Sequence, residues 1–516
     1  MANKSIFSAV SRMLPKADTL NRAGAPAFAY DASHALAQIA MTGTFNAGFY
    51  GGGETQLQDL LKAANEVDAE FLALTAVYAR RNGRMKDTPA VLLAILSVRD
   101  TVLFHRVFDR VVDNGKMLRN FVQIMRSGGV GRTSLGTAAK RRVQDWLINA
   151  SDWQLLNAAI GNQPSLADVI KMVHPKADTP ERNAFFAWIM GKPCDFAKLP
   201  KAVQEYMMLK DTGHGVLPDV PFQMLTALPL DAKRWAKIAE RGSWQMLRKN
   251  LNTFARHGVF KMTRSTKLIA DRLANATEIR KAKAMPYQLF AASLYAGKDL
   301  PDSVRNALKS AMEVAVSNVP SVKGRVVVCP DVSGSMNWSI SGYRKGATSK
   351  MRCVDVAALT AAVFVRANDD VRVMPFDTRA YDATLGASES VVEIARKLAE
   401  YGGGGTDCTA PLQRMIGEKI TPDLVVMISD NQSWAHQGDG RTTPMMRAWN
   451  ELKRQNREAK LVCIDIAPYG TSQAQTREDI LNVGGFSDAV FDVIARFAAG
   501  ENGSEFWVDE IRKIEV

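Results

Sequence analysis

Between about residue 30 and residue 315, apolar side chains return every three or four positions, the period of a helix that turns one face into a core. Phe71, Leu74 and Val77 with Tyr78 mark one stripe, and Val91, Ile95 and Val98 mark the next. Phe104, Phe108 and Val111 form a third, and Leu118, Phe121, Val122 and Met125 a fourth. Brief polar turns, Arg81-Asn-Gly-Arg84 and Asp113-Asn-Gly115 among them, separate these stripes. Short helices stacked in pairs predict an α-helical solenoid of HEAT-like repeats. No strict period is visible, so an irregular helical domain is the plain alternative. Gly128-Gly-Val-Gly131 interrupts the series, and Arg132 to Leu147 resumes it with Val143, Trp146 and Leu147 as the seam.

After Ser317-Asn-Val-Pro320 the pattern changes. Short apolar runs (Arg325–Cys329, Val371–Phe376, Leu424–Ser429 and Leu461–Ile466) now alternate with helical stretches. Continuous apolar strands between helices are the mark of a parallel sheet covered on both faces, an α/β Rossmann-like domain. The chain is therefore expected to divide into a helical domain, 1–320, and an α/β domain, 321–516.

Charge sharpens that division. The 516 residues carry a formal net charge of +13, with 66 Lys and Arg against 53 Asp and Glu. Residues 1–320 hold 43 basic and 27 acidic side chains, whereas residues 321–516 hold 23 and 26. A polyanion would therefore bind the helical part. Within it, Lys140, Arg141 and Arg142 form one basic stripe. The stretch from Asp231 to Lys283 forms another, with 14 Lys and Arg against 4 Asp and Glu. Trp244, Phe254 and Phe260 are interleaved with Arg248, Lys249, Arg256 and His257 there. Lys and Arg neutralise phosphates while aromatic and guanidinium planes stack on bases, so RNA is the expected partner. Phosphate contacts are assigned to Arg132, Lys140, Arg141, Arg142, Lys171, Arg248, Lys249 and Arg256, and polar contacts to His174 and His257. A solvated helix face is the bland reading of each stripe.

Five scattered cysteines without a C-x-x-C pair argue against a disulfide framework or a zinc site, and fit a cytoplasmic location. No apolar run reaches the length of a membrane span, so no membrane partner is expected. Met1 to Lys16 lacks acidic residues, as a transit peptide does, but reads as an ordinary tail.

The candidate chemistry lies in the second domain. Asp331-Val-Ser333-Gly-Ser335 follows the first apolar strand, and sends a carboxylate and two hydroxyls into the crevice where open α/β sheets bind ligands. Gly402-Gly-Gly-Gly405-Thr406 adds a hydroxyl on a glycine-rich loop, and Leu424–Ser429 runs into Asp430. Oxygen donors of this kind suit a hard divalent cation: Mg²⁺ first, Ca²⁺ or Mn²⁺ otherwise. The structural alternative makes Ser333 and Ser335 helix caps and the glycines a plain turn. His436 follows closely enough to approach such an ion, although an exposed loop histidine is the simpler reading. Gly342 to Lys350 lacks the G-K-[ST] ending of a phosphate loop. No catalytic constellation is evident, so the protein is expected not to be an enzyme.

The order D-x-S-x-S, Thr, Asp resembles the metal-ion-dependent adhesion site of von Willebrand factor A domains, where Asp331, Ser333, Ser335, Thr406 and Asp430 would be the ligands. Both halves together resemble the TROVE-domain family, which comprises the Ro autoantigen and its bacterial orthologues. In the helical part the resemblance rests on Gly131-Arg132 leading into Arg141-Arg-Val-Gln-Asp-Trp146-Leu, on Asp168 to Lys176, on Ser243 to Leu251 and on Met285 to Tyr295. In the second part it rests on Asp331 to Met336, Gly404 to Pro411, Ser429 to Ser433 and Gly484 to Ile494. The resemblance implies a ring of HEAT-like helices closed by the A domain. It implies a monomeric ribonucleoprotein that binds small noncoding Y-like RNA outside and the single-stranded 3′ ends of misfolded RNA in its hole. An exoribonuclease such as polynucleotide phosphorylase is the implied protein partner, and RNA quality control the implied role. The family's histidine contact falls on His174, while two basic family positions fall on Asn157 and Gly161. Two rival readings are an interaction adaptor whose cation grips a partner's carboxylate without RNA, and a metal-dependent hydrolase.

Overall fold

The computed structural model describes residues 16–284, 286–317, 319–343, 351–386, 388–434, 442–467, 469–501 and 505–516. The chain forms two compact units. The first takes the described residues up to Val67, Ala274–Tyr295 and Arg305–Lys513; the second takes Asp68–Leu273, Ala296–Val304 and Ile514–Val516. Residue 320 marks where strands begin to alternate with helices, whereas chain contacts group the N-terminal segment with the sheet.

The second unit is helical, as the periodicity predicts. Helices Ala69–Arg81, Asp87–Arg99, Thr101–Val111, Gly115–Arg126 and Gly136–Asn149 carry the stripes read from sequence. Local chemistry fixes where they start and stop. The Asp100 backbone closes one helix, and its carboxylate opens the next by accepting from the amides of Val102 and Leu103 at 2.9 and 3.0 Å. Asn114, read as part of a turn, caps Gly115–Arg126 by accepting from Lys116 N and Met117 N. One stripe was misplaced: Val98 is exposed, while Leu92, Leu93 and Leu96 are buried. Asp87–Arg99 packs on Ala69–Arg81, Thr101–Val111 and Gly115–Arg126, so burial nearly all round it erases a clean face.

The first unit holds a five-stranded parallel sheet in the order β4-β3-β5-β6-β8: β3 Val326–Pro330, β4 Val371–Val373, β5 Leu424–Ser429, β6 Lys460–Asp465 and β8 Ile480–Gly484. The strand β8 had no sequence signal strong enough to be read. Val327, Cys329, Val425 and Met427 pack on one face with Leu412, Met415, Met446 and Trp449. The helix Cys353–Ala367 packs against β3 and β4. Covering both faces is what permits the unbroken apolar strands.

The N-terminal segment completes this unit. β1 Thr19–Leu20 and β2 Pro26–Ala29 form an antiparallel sheet with β7 Thr471–Ser472, and Phe28 joins the core beneath the parallel sheet. The helix Ala32–Thr42 packs against β8.

Candidate functional site

The chain leaves β3 for β4 on one side and later returns to β5 on the other, so the order reverses between β3 and β5. At such a switch point the loops after the two strands part and leave a crevice. Asp331 and Asp430 stand there, at the carboxyl ends of β3 and β5, and Asp331 N donates to Ile428 O at 2.9 Å.

Hydrogen bonds fix the turn after β3. Asp331 Oδ1 accepts from Ser333 N at 2.8 Å, and Oδ2 accepts from Ser429 Oγ at 2.6 Å. The Ser333 and Ser335 hydroxyls meet at 3.3 Å. Ser333 precedes a short helical turn, Gly334–Asn337, but its side chain makes no capping bond, which removes the helix-cap reading for this hydroxyl. Gly403 N donates to Val332 O and Gly334 N to Gly404 O, both at 2.8 Å, so the glycine loop is zipped to the serine turn. At Gly402 φ is +72°, and an added Cβ would lie 2.4 Å from Val332 Cγ2. Both conditions require glycine. The loop delivers Thr406, whose carbonyl accepts from Trp434 N at 3.0 Å.

Asp331, Ser333, Ser335, Thr406 and Asp430 are all buried. Burial raises the pKa of both carboxyls; the charge of Asp430 adds to this at Asp331, and a hydrogen bond from Ser335 opposes it at Asp430. Among the described residues neither carboxylate has a basic partner, and no three His, Cys, Asp or Glu side chains converge on a metal. The donor set offered by the two strand ends and the glycine loop is two buried carboxyls and three buried hydroxyls, short of positive charge. It fits a hard divalent cation and suits a soft or nitrogen-seeking ion poorly.

Sequence reading missed Ser429, whose hydroxyl holds Asp331. It also missed Asp377, which accepts from Gly404 N at 3.1 Å and from Tyr381 Oη at 2.9 Å and so steadies the glycine loop. Tyr50 escaped notice too, although its phenol lies beside Ser335 and Trp434. No local signal connects residue 50 with residue 335. His436 lies outside the described residues, as does Lys350.

The basic candidates all belong to the helical unit, where residues 68–273 hold 32 Lys and Arg against 18 Asp and Glu. Arg132, Arg141, Lys171, His174, Lys249, Arg256 and His257 are exposed and Lys140 is half-buried. Arg142 is committed to its neighbours: it pairs with Asp109 and Asp145 and covers the Phe108 ring at 5.0 Å. Arg248 is buried and donates twice to Gln245 Oε1, at 3.2 and 3.0 Å. The His257 ring stacks on Trp235 at 4.1 Å. His174 ends the helix Leu166–Val173 in the left-handed conformation, φ 50°.

The helical unit also gathers charge that sequence distance hid. Partial burial, then Lys116 and Lys249, lowers the pKa of Lys86. At Gly161, φ +115°, the Arg119 guanidinium lies 2.5 Å from where a Cβ would stand, donating to Pro164 O and Ile160 O. A cation from the neighbouring helix therefore fills the space beside that glycine.

Comparison with known proteins agrees with this architecture. Residues 325–498 match the family model of the Ro60 vWA domain. The chain is 25% identical over 521 residues to the RNA-binding protein RO60 of Deinococcus radiodurans, spanning 93% of this chain and 95% of that one. It is 21% identical over 244 residues to the RNA-binding protein RO60 of Caenorhabditis elegans, across 45% of this chain and 36% of that one. The crystal structure of the D. radiodurans RO (RSR) protein superposes with a TM-score of 0.62 at 21% identity, covering 92% of this chain and all of that one.

Proposed function

We propose that this chain is a member of the Ro60 family and an RNA-binding protein. Its ligands are small noncoding Y-like RNA and RNA ending in a single-stranded 3′ tail. The observation that supports this most is likeness to an RNA-binding RO60 protein over nearly the full length of both chains. The concentration of positive charge in the helical unit supplies the physical means. Each phosphate neutralised by Lys or Arg releases counterions, which favours binding at low salt.

The exposed side chains Arg132, Arg141, Lys171, Lys249 and Arg256 meet phosphates, with His174 and His257 as polar contacts. Arg142 ties the helix that presents Arg141 to its neighbour through Asp109, and Arg248 is held by Gln245 within its own helix. The role is binding rather than catalysis, within a ribonucleoprotein that serves RNA quality control and hands its RNA to an exoribonuclease. In the other unit, Asp331, Ser333, Ser335, Thr406 and Asp430 would hold a divalent cation, Mg²⁺ in the cell. When bound, such an ion supplies positive charge for an anionic oxygen.

Titration of nucleic-acid-free protein with a hairpin RNA, tailed or blunt at its 3′ end, tests the reading. The tailed RNA binds more tightly, and log Kd rises steeply with log salt. Replacing Arg141 and Arg256 together by Ala lowers that slope by about one to two units, at roughly 0.7–0.9 counterion per phosphate. A wild-type slope near zero overturns RNA binding.

A further inference from the structure

Seven large aromatic side chains are exposed among the described residues, and four of them, Phe49, Trp338, Tyr343 and Trp434, gather at the mouth of the cation site. They come from three distant segments. Trp338 Nε1 and Tyr343 N both donate to Ala47 O, at 2.9 and 2.8 Å, which fastens the loop 47–50 to the turn 338–343. Phe49 meets Trp338 edge-on at 6.2 Å and Tyr50 at 4.7 Å. Tyr50 carries this cluster to the third segment, since its phenol neighbours both Ser335 and the Trp434 indole.

Trp434 is seated by the site itself. Its backbone amide is bound to Thr406 O, and its ring lies on Gly405, where a Cβ would come within 2.9 Å. The glycine run that delivers Thr406 thereby also clears the seat for this indole. The rings remain 37% to 68% exposed, although burying any one of them elsewhere would be favourable. Scattered exposed apolar residues need no explanation, but a contiguous group beside a polar crevice marks a binding surface. All four rings keep more than a third of their surface open to solvent, and an open ring is what an unpaired base stacks on.

We infer that this aromatic rim is a stacking platform for an unpaired RNA base, which lays a strand across the mouth of the cation site. The inference rests on the proposed RNA binding and adds a second contact, in a different unit from the basic helices.

The full chain, freed of nucleic acid and kept in Mg²⁺, is titrated with a single-stranded RNA hexamer carrying 2-aminopurine. Stacking on the rim quenches the probe in the wild type. Trp434→Ala and Tyr343→Ala each lose much of the quench and weaken binding about tenfold, within the range for one stacked base. Trp434→Phe keeps most of both, and the salt slope is the same in all variants because no phosphate contact is removed. If the wild type binds the hexamer but both alanine variants match it in affinity and quench, the platform is refuted and RNA binding stands. Equal loss in Trp434→Phe also refutes stacking. A wild type that binds no RNA overturns both readings. If the alanine variants instead lose only an aromatic, acidic peptide that the wild type binds, the rim belongs to a protein partner and the inference fails.

Discussion

Asp331 and Asp430 are two buried carboxyl groups near one another, with no basic side chain among the described residues to offset their charge when both ionise. Such a pair costs stability unless a cation or a proton joins it. Replacing Asp331 by Asn removes one charge while keeping the shape and the acceptor for Ser333 N. The variant is expected to lose Mn²⁺ binding by calorimetry and to unfold no earlier than metal-free wild type. A saturating cation raises wild-type stability by about 2.7 kcal/mol at a hundred times Kd. In Asp331→Asn that rise disappears, and an undiminished rise would place the ion elsewhere. His34 gives a second residue-scale expectation. It is buried, bonded through Nε2 to Asn482 O at 2.9 Å, and stacked on Tyr30 at 4.6 Å. Burial lowers its pKa, against an opposing pull from Asp31. The unfolded chain, with a histidine pKa near 6.5, then takes up the proton first. The stability His34 contributes is therefore whole above about pH 6.5 and is lost as pH falls below it. The advantage of wild type over His34→Gln in urea unfolding should shrink by up to about 1.4 kcal/mol per pH unit from pH 6.5 downward. A constant difference from pH 7.5 to 5.5 would show that folding does not lower the pKa of His34.

At the scale of elements, single side chains decide where one helix yields to the next. Asp100 ends Asp87–Arg99 and caps Thr101–Val111. Asp100→Ala leaves the amides of Val102 and Leu103 without their acceptor and should cost about 1 kcal/mol, read from the urea midpoint. Asp100→Asn, which keeps the accepting oxygen, should recover most of it. The stretch from Thr19 to Thr42 shows the reverse relation, in which an element owes its place to distant chain. β2 is too short to stand alone, and β7, Phe28 and the helix Ala32–Thr42 tie it to the sheet.

At the scale of the molecule, the proposed cation ligands and the basic side chains occupy separate compact units. Ligation should therefore protect one unit alone. Hydrogen exchange with and without Mg²⁺ should slow amides at 331–336, 402–407 and 429–434 and leave those of 69–173 unchanged. Equal protection across 69–173 would show that the cation site reaches into the helical unit.

The sequence by itself determined the helical periodicity, four of the five parallel strands, the charge split, and the places of Asp331 and Asp430 at the carboxyl ends of two strands. Each of these is carried by local alternation or by short motifs at strand ends, which a linear reading can see. It misjudged Val98, because a helix wrapped by neighbours has no single apolar face to display, and passed over β8, whose burial comes from its partners. The separation of Arg142 from the exposed basic side chains was decided only in three dimensions, by Asp109 and Phe108 of a neighbouring helix, and that of Arg248 by its burial. So were Ser429 against Asp331, Tyr50 beside Ser335, and four aromatic rings around one crevice. These last contacts, from Ser429 with Asp331 to Phe49 and Trp434 at one crevice, span about a hundred to nearly four hundred positions, and spacing along the chain has no physical bearing on which of them the packed core brings together.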